Sequence, residues 1–274
     1  MTRILRTWSG CLGALLVAIV LAYAVAAPLL SPYNPEALDV MNRFAGPSAA
    51  HWLGTDQVGR DVYSRLAYGT QVAIGVAVTV ILLAMAAGVL LGTVAAFASG
   101  WAERLLLVAF DTVAAFPSLI LALAVVAVFG PSTRNLVLIV ALTLAPQFGR
   151  VARAQVLVVK AAPFLEAERI LGASPARIML RHLLPNIMGP LIVLASMDIP
   201  VVVSIEAGLS FIGLGVRPPL ASWGTQINDG YAYLSDSPWP VLTATAALAV
   251  ATLGFTLFGE ALRDAIDPRM RPPA

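Results

Sequence analysis

Long uncharged runs dominate the chain. Each approaches the roughly 20 apolar residues that a helix needs to cross a hydrocarbon core. Six are read as transmembrane helices: residues 9–30, 72–98, 105–129, 135–156, 187–211 and 241–259. The first carries no charge, and the second sits inside an uncharged stretch from Leu66 to Ala102 that is longer than one crossing requires. The third is apolar apart from Asp111, and the fifth apart from Asp198 and Glu206. The fourth extends toward Val156 if Arg150 and Arg153 snorkel to the lipid headgroups.

Arg3 and Arg6 precede the first run, and Ala22-Tyr23-Ala24 looks like a cleavage site. The run is nevertheless longer than the apolar part of a secretion signal, so it is expected to stay as a helix. Basic residues set the orientation. With residues 1–8 in the cytoplasm, twelve of the 17 Lys and Arg fall inside and five outside, which predicts N-in and C-in with a cytoplasmic tail at 260–274.

Three polar stretches connect the spans. Residues 31–71 lie outside, opening with Pro28, Pro32 and Pro35 and ending in an interfacial helix from Asp61, with Val62, Tyr63 and Leu66 near one face and Arg65 opposite. Residues 215–240 also lie outside. There Pro218-Pro219 breaks any helix, and Trp223, Tyr231, Tyr233 and Trp239 either anchor at the water–lipid boundary or dock a soluble partner.

Residues 158–186 lie inside and read as a helix–turn–helix. Phe164, Ala167 and Leu171 recur at helical spacing, and Glu166 can pair with Arg169. Gly172 ends the first helix in a left-handed conformation. Ser174 caps the second, with Pro175 at its first position. The second helix carries Ile178, Met179, Leu183 and Leu184, with Arg177 and Arg181 one turn apart, and Pro185 stops it. Such a unit either fixes topology or acts as a rigid lever presented to a cytosolic protein.

Composition agrees with the patterning. Of 274 residues, 59% are hydrophobic and 12% charged, against roughly 25% charged in soluble domains. The fold class is therefore all-α, a polytopic transmembrane bundle. A soluble enzyme, a disordered chain and a nucleic-acid binder are excluded, and a net charge of +2 argues for no polyanionic partner. Cys11 alone forms no internal disulfide or zinc cluster and reads as an apolar filler. There is no Gly-x4-Gly-Lys-Ser/Thr phosphate loop, no His-Glu-x2-His and no Gly-x-Ser-x-Gly, while His51 and His182 fall in loop segments. The chain is not expected to be an enzyme, to bind ATP or to hold a metal or cofactor. Its energy must come from another polypeptide.

Charges inside the membrane need an explanation, because an uncompensated one costs about 2.5–3.5 kcal/mol. Asp198 either lines a substrate path, favouring a cationic group such as a peptide amino terminus, or bonds to a neighbouring helix. Glu206, nearer the outer end, pairs with Arg217 or a partner residue, and both carboxylates are candidate path residues. Asp111 reads as structural at headgroup level. Gly88-x3-Gly92 and Ser204-x3-Gly208 permit close helix approach.

The segment Glu166-Ala167-Glu168-Arg169-Ile170-Leu171-Gly172-Ala173-Ser174, followed by Leu184-Pro185-Asn186, resembles the EAA loop of ABC importer permeases. Residues 51–61, Asp111 with Ala115-Phe116-Pro117-Ser118, and Glu206 with Leu209 to Gly215 resemble the dipeptide/oligopeptide/nickel subfamily. So do Ser222-Trp223-Gly224 with Asn228-Asp229-Gly230, and Arg263-Asp264 with Asp267-Pro268-Arg269. The likeness runs from about residue 50 to the C-terminus. Two positions depart from it: Glu168 replaces the second Ala of the signature, and Asp198 stands where the family has a small or apolar residue.

The resemblance implies a type I ABC importer permease in the bacterial inner membrane. Glu166, Ala167, Leu171, Gly172, Ala173, Ser174, Leu184 and Pro185 would couple to the ATPase. Trp223, Asn228, Asp229 and Tyr231 are candidates for contacting the binding protein. Implied partners are a second, non-identical permease, two ATP-binding subunits holding ATP and Mg, an extracytoplasmic binding protein and membrane lipid. The solute is a di- or oligopeptide. Nickel or another small solute of the same family, or a secondary transporter unit using Asp198 for ion coupling, stand as alternatives.

Overall fold

The computed structural model describes residues 7–98, 100–174 and 177–266, without the side chains of Ala167 and Arg169. Helix α1 is Trp8–Leu30, α2 is Val62–Phe97, α3 is Trp101–Ala114, α4 is Ser118–Phe129 and α5 is Thr133–Lys160. Helix α6 is Pro163–Ile170, α7 is Leu184–Phe211, α8 is Trp223–Tyr231 and α9 is Trp239–Ile266. Among the described residues, five helices are long and apolar enough to span a membrane, or six if α3 and α4 form one bent span.

Side-chain caps set several helix starts. Thr7 accepts from Gly10 N at 3.1 Å, Asp61 from Ser64 N at 2.7 Å and Ser132 from Asn135 N at 3.1 Å. Each satisfies an N–H that has no partner in the first turn.

Three elements differ from the sequence reading. The interfacial helix expected from Asp61 is not separate, because Val62–Phe97 is one helix of 36 residues. At 1.5 Å per residue it is about 54 Å long, well beyond a hydrocarbon core of about 30 Å. No Gly-Pro break interrupts it, and Arg65 is buried in an ion cluster rather than turned to water. The single helix expected over residues 105–129 is instead two, α3 and α4, which meet at 85°. Pro117 lacks an N–H and bars Phe116 from the helical region, so the ladder ends at Ala114 and restarts at Ser118.

The third difference is at Pro185, which does not stop the second rod. Ile178–Leu183 is a wide turn running straight into α7, and Leu184 N–H donates to Met179 O, five residues back. This wider ladder lets the missing donor of Pro185 fall at the junction, so Ile178–Phe211 is one continuous rod.

Packing relies on backbone approach. A Cβ on Gly88 would lie 2.5 Å from Phe148 Cβ, and one on Gly92 would strike the Gly149 carbonyl, so α2 seats directly on α5. Likewise α1 meets α9, where a Cβ on Gly13 would lie 2.5 Å from Phe258 N. Ser204-x3-Gly208 behaves differently from the expectation, since nothing lies within 4 Å of a Cβ on Gly208. The buried centre contains Val80, Leu136, Val140, Phe148, Ile187 and Val202. Leu15, Ile19, Leu82 and Leu253 face outward, as does Cys11, which fills no core.

Candidate functional site

One end of the bundle carries the elbow formed by α6 and the start of the long rod. Gly172 has φ +79°, a left-handed turn that lets Ala173 N donate to Glu168 O at 3.0 Å. Ser174 Oγ accepts from Arg177 N at 3.3 Å, while Pro175 lies outside the described residues. Leu165 and Leu183 are buried; Leu183 belongs to the bundle core, and α6 packs on the turn that carries it.

Phe164 and Leu171, which recur at helical spacing, both turn to the surface. Phe164 is exposed, Leu171 is 81% and Ile170 84% exposed, and Leu180 is also open. The side chain of Ala167 and the expected pairing of Glu166 with Arg169 lie outside the described residues. Glu166 and Pro185 are exposed, and Leu184 and Ala173 are half-buried. Glu168 Oε1 lies 3.4 Å from His182 Nε2, tying the two arms. His182 therefore belongs to the wide helical turn, not to a loop.

Two ion pairs stitch α3 to α5. Arg150 reaches Asp111 at 3.0 Å, and Arg153 Nε reaches Glu103 at 3.1 Å. These arginines bind carboxylates on the next helix rather than extending free. Between the second half of α2 and the elbow lies a groove of about 1340 Å³, lined by residues that include Met85, Val89, Thr93, Phe97, Ala173 and Met179.

The opposite end is built around an ion cluster that joins residues the sequence reading names separately, Arg65, Asp229 and the 51–61 segment. Arg60 bonds Asp56 at 2.6 Å and Asp229 at 3.0 Å. Arg65 lies 3.7 Å from Asp56 and 3.8 Å from Asp229, and reaches Pro35 O at 3.4 Å. His51 Nδ1 lies 2.9 Å from Asp61. The available signal was the Asp56–Arg60 spacing within the 51–61 motif.

Helix α8, unexpected beside Pro218-Pro219, starts with a reciprocal cap between Ser222 and Thr225. Its Trp223 is 1% exposed and lies over Gly69, so it is not a surface contact as expected. Asn228 and Tyr231 are exposed, whereas Asp229 is held by the arginines.

In the long rod, Asp198 and Glu206 both face inward. Glu206 is 0% exposed and accepts from Ser210 Oγ at 2.7 Å, while Arg217 is exposed and not its partner. Asp198 Oδ2 is buried without a hydrogen bond. Neither lines the open groove of about 490 Å³ on the other face, which runs past Ser118, Val201, Ser204, Gly208 and Thr252. Among the described residues no group of three or more His, Cys, Asp or Glu could hold a metal ion.

The family model described as binding-protein-dependent transport system inner membrane component matches residues 88–272. The chain is 35% identical to the dipeptide transport system permease protein DppC of Alkalihalophilus pseudofirmus, covering 94% of this chain and 85% of that one. It is 36% identical to the glutathione transport system permease protein GsiD of Pectobacterium atrosepticum, covering 98% and 90%. It is 38% identical to the probable D,D-dipeptide transport system permease protein DdpC of Escherichia coli, covering 93% and 86%. The MetNI methionine ABC transporter in inward-facing conformation shares the fold, with a TM-score of 0.58 at 18% identity, covering 74% of this chain and 96% of that one. With an all-helical bundle, an EAA-like elbow and these relatives, the chain belongs to the binding-protein-dependent transport system inner membrane component family, as an integral membrane permease subunit of an ABC importer and not its ATPase.

Proposed function

We propose that this chain is one of two non-identical permeases in an importer of di- and oligopeptides in the bacterial inner membrane. It crosses six times, N-in and C-in, with the bent α3–α4 pair as one span. A separate binding protein delivers the peptide to the outer end, where Asn228 and Tyr231 stand open beside Asp229. Two ATP-binding subunits hold ATP and Mg and grip the elbow. The names of the relatives, which transport dipeptides, D,D-dipeptides and glutathione, support the solute class.

The observation that carries this reading is the elbow itself. Leu183 roots its second arm in the bundle core and α6 packs on that arm with Leu165 buried, yet Ile170 and Leu171 point away from the chain. Exposed large apolar side chains on a rigid support suit a protein partner. Closure of the ATPases would shift the elbow and, with it, the rod to which it is joined. A rigid-body movement is enough to alternate access.

Gly172→Pro tests the coupling, because proline cannot adopt a φ of +79°. The variant complex is expected to assemble and bind the loaded binding protein, but to lose peptide uptake and the stimulation of ATP hydrolysis. Uptake and stimulation at wild-type levels would overturn the lever. Uptake that survives ATP depletion and fails on collapse of the proton gradient would replace the importer with a secondary transporter.

A further inference from the structure

Glu168 stands where the signature that this segment resembles has Ala. In the fold it faces the other arm of the elbow, with Oε1 3.4 Å from His182 Nε2. Both residues are anchored through their carbonyls. Ala173 N donates to Glu168 O at 3.0 Å, and Asn186 Nδ2 donates to His182 O at 2.6 Å. The Phe164 ring lies beside the imidazole, with centroids 6.2 Å apart. Among the described residues no other ion pair or side-chain hydrogen bond joins α6 to the wide turn.

A separation of 3.4 Å is longer than the usual N–H···O hydrogen bond of about 2.7–3.2 Å. What attracts these two groups is therefore charge, and an imidazole carries charge only while both ring nitrogens hold a proton. Histidine makes that change between about pH 5 and pH 8. We propose that Glu168 and His182 form a proton-dependent clasp across the elbow, closed when the imidazole is protonated and slack when it is neutral.

The other charged groups nearby are engaged elsewhere or open to water. The wide turn packs against α5, α6 and the start of α7. On α5, Arg150 and Arg153 are bound to Asp111 and Glu103, and Lys160 donates to Ala96 O. On α6, Glu166 is exposed, and the side chain of Arg169 lies outside the described residues. Beside and within the turn, Arg177 and Arg181 are exposed. The first carboxylate along α7 is Asp198, about 24 Å further on at about 1.5 Å per residue.

The inference rests on the proposed function, in which an ATPase grips Ile170 and Leu171 at the end of α6. Helix α6 meets the rod through buried Leu165 and through the clasp. With the clasp closed, α6 and the rod move as one piece. With it slack, α6 shifts on the rod and part of each ATPase stroke is lost. Coupling, read as peptide imported per ATP hydrolysed, is therefore tighter on the acid side.

The test compares the whole transporter in lipid nanodiscs with its Glu168→Ala, His182→Gln and double variants, by amide hydrogen exchange of residues 163–170 at about pH 6 and about pH 8. At the lower pH each variant should exchange about two- to fivefold faster than wild type, the span expected of a part-exposed ion pair. At the higher pH all four should exchange alike, and the double variant should match each single throughout, because both act through one contact. In vesicles with the elbow side buffered at the same two values, wild type should hydrolyse more ATP per peptide at the higher pH, whereas Glu168→Ala should show one ratio at both. Equal exchange at the lower pH, or a difference that persists at the higher, would overturn the clasp. A wild-type ratio that does not change with pH would overturn its effect on coupling. Failure of ATP-driven uptake in the wild type would remove the importer, while the exchange data, which need no transport, decide the clasp.

Discussion

Arg60 Nη2 donates to Asp229 Oδ2 over 3.0 Å, although the two residues are 169 positions apart. The bond fastens the segment before α2 to α8, and Asp56 and Arg65 complete the cluster. Two guanidiniums and two carboxylates neutralise one another there.

Asp229→Ala would leave two largely buried arginines sharing Asp56. Removing one partner of such a pair costs about 3–5 kcal/mol, so thermal unfolding of the detergent-solubilised protein should fall markedly. Asn228→Ala, one residue away and exposed, should leave the midpoint unchanged. A midpoint for Asp229→Ala equal to wild type would show that the cluster contributes nothing.

Gly92→Val should break the seat of α2 on α5, because its side chain would enter the Gly149 backbone. Overpacking of this kind costs about 1–3 kcal/mol or more, read as loss of monodisperse protein on size exclusion. Gly208→Ala, with open space at its Cβ, should stay within about 0.5 kcal/mol of wild type.

Leu171→Asp should not change stability, since the side chain touches nothing within the chain that holds the fold. It should weaken ATPase binding at least about tenfold in a pull-down titration, about 1.4 kcal/mol. Leu165→Asp, at the buried root of the same elbow, should instead prevent folding.

Trp223→Ala should lower stability by about 3–5 kcal/mol, because it empties a buried site beside Gly69. Tyr231→Ala should leave stability intact and reduce the response of ATP hydrolysis to the loaded binding protein. Equal effects of the two on stability would contradict the burial.

The apolar runs announced α1, α5 and α9 because a membrane span depends on length and hydropathy alone. Gly172 was legible because only its conformation ends that helix. Pro117 and Pro185 show the limit. Both are prolines in apolar surroundings, yet at one the helix ends and restarts at 85° and the other is passed by a wider turn. Local sequence gives the missing donor but not the ladder that accommodates it. Trp223 misled for another reason, since an aromatic in an outer segment suits the lipid boundary as well as a core, and only α8 against Gly69 decides. Asp198 and Glu206 were recognisable as costly charges, but which face of the rod they occupy follows from packing, not composition.

The uninterrupted passage through Pro185 has a mechanical consequence. Helix runs without interruption from Ile178 to Phe211, with Pro190 and Pro200 inside it, so a single element joins the elbow to the far end, where Glu206 and Ser210 sit under α8. On the proposed reading, the stroke of an ATPase at the elbow would reach the opposite mouth through this one element, bending only where its two prolines leave the ladder incomplete.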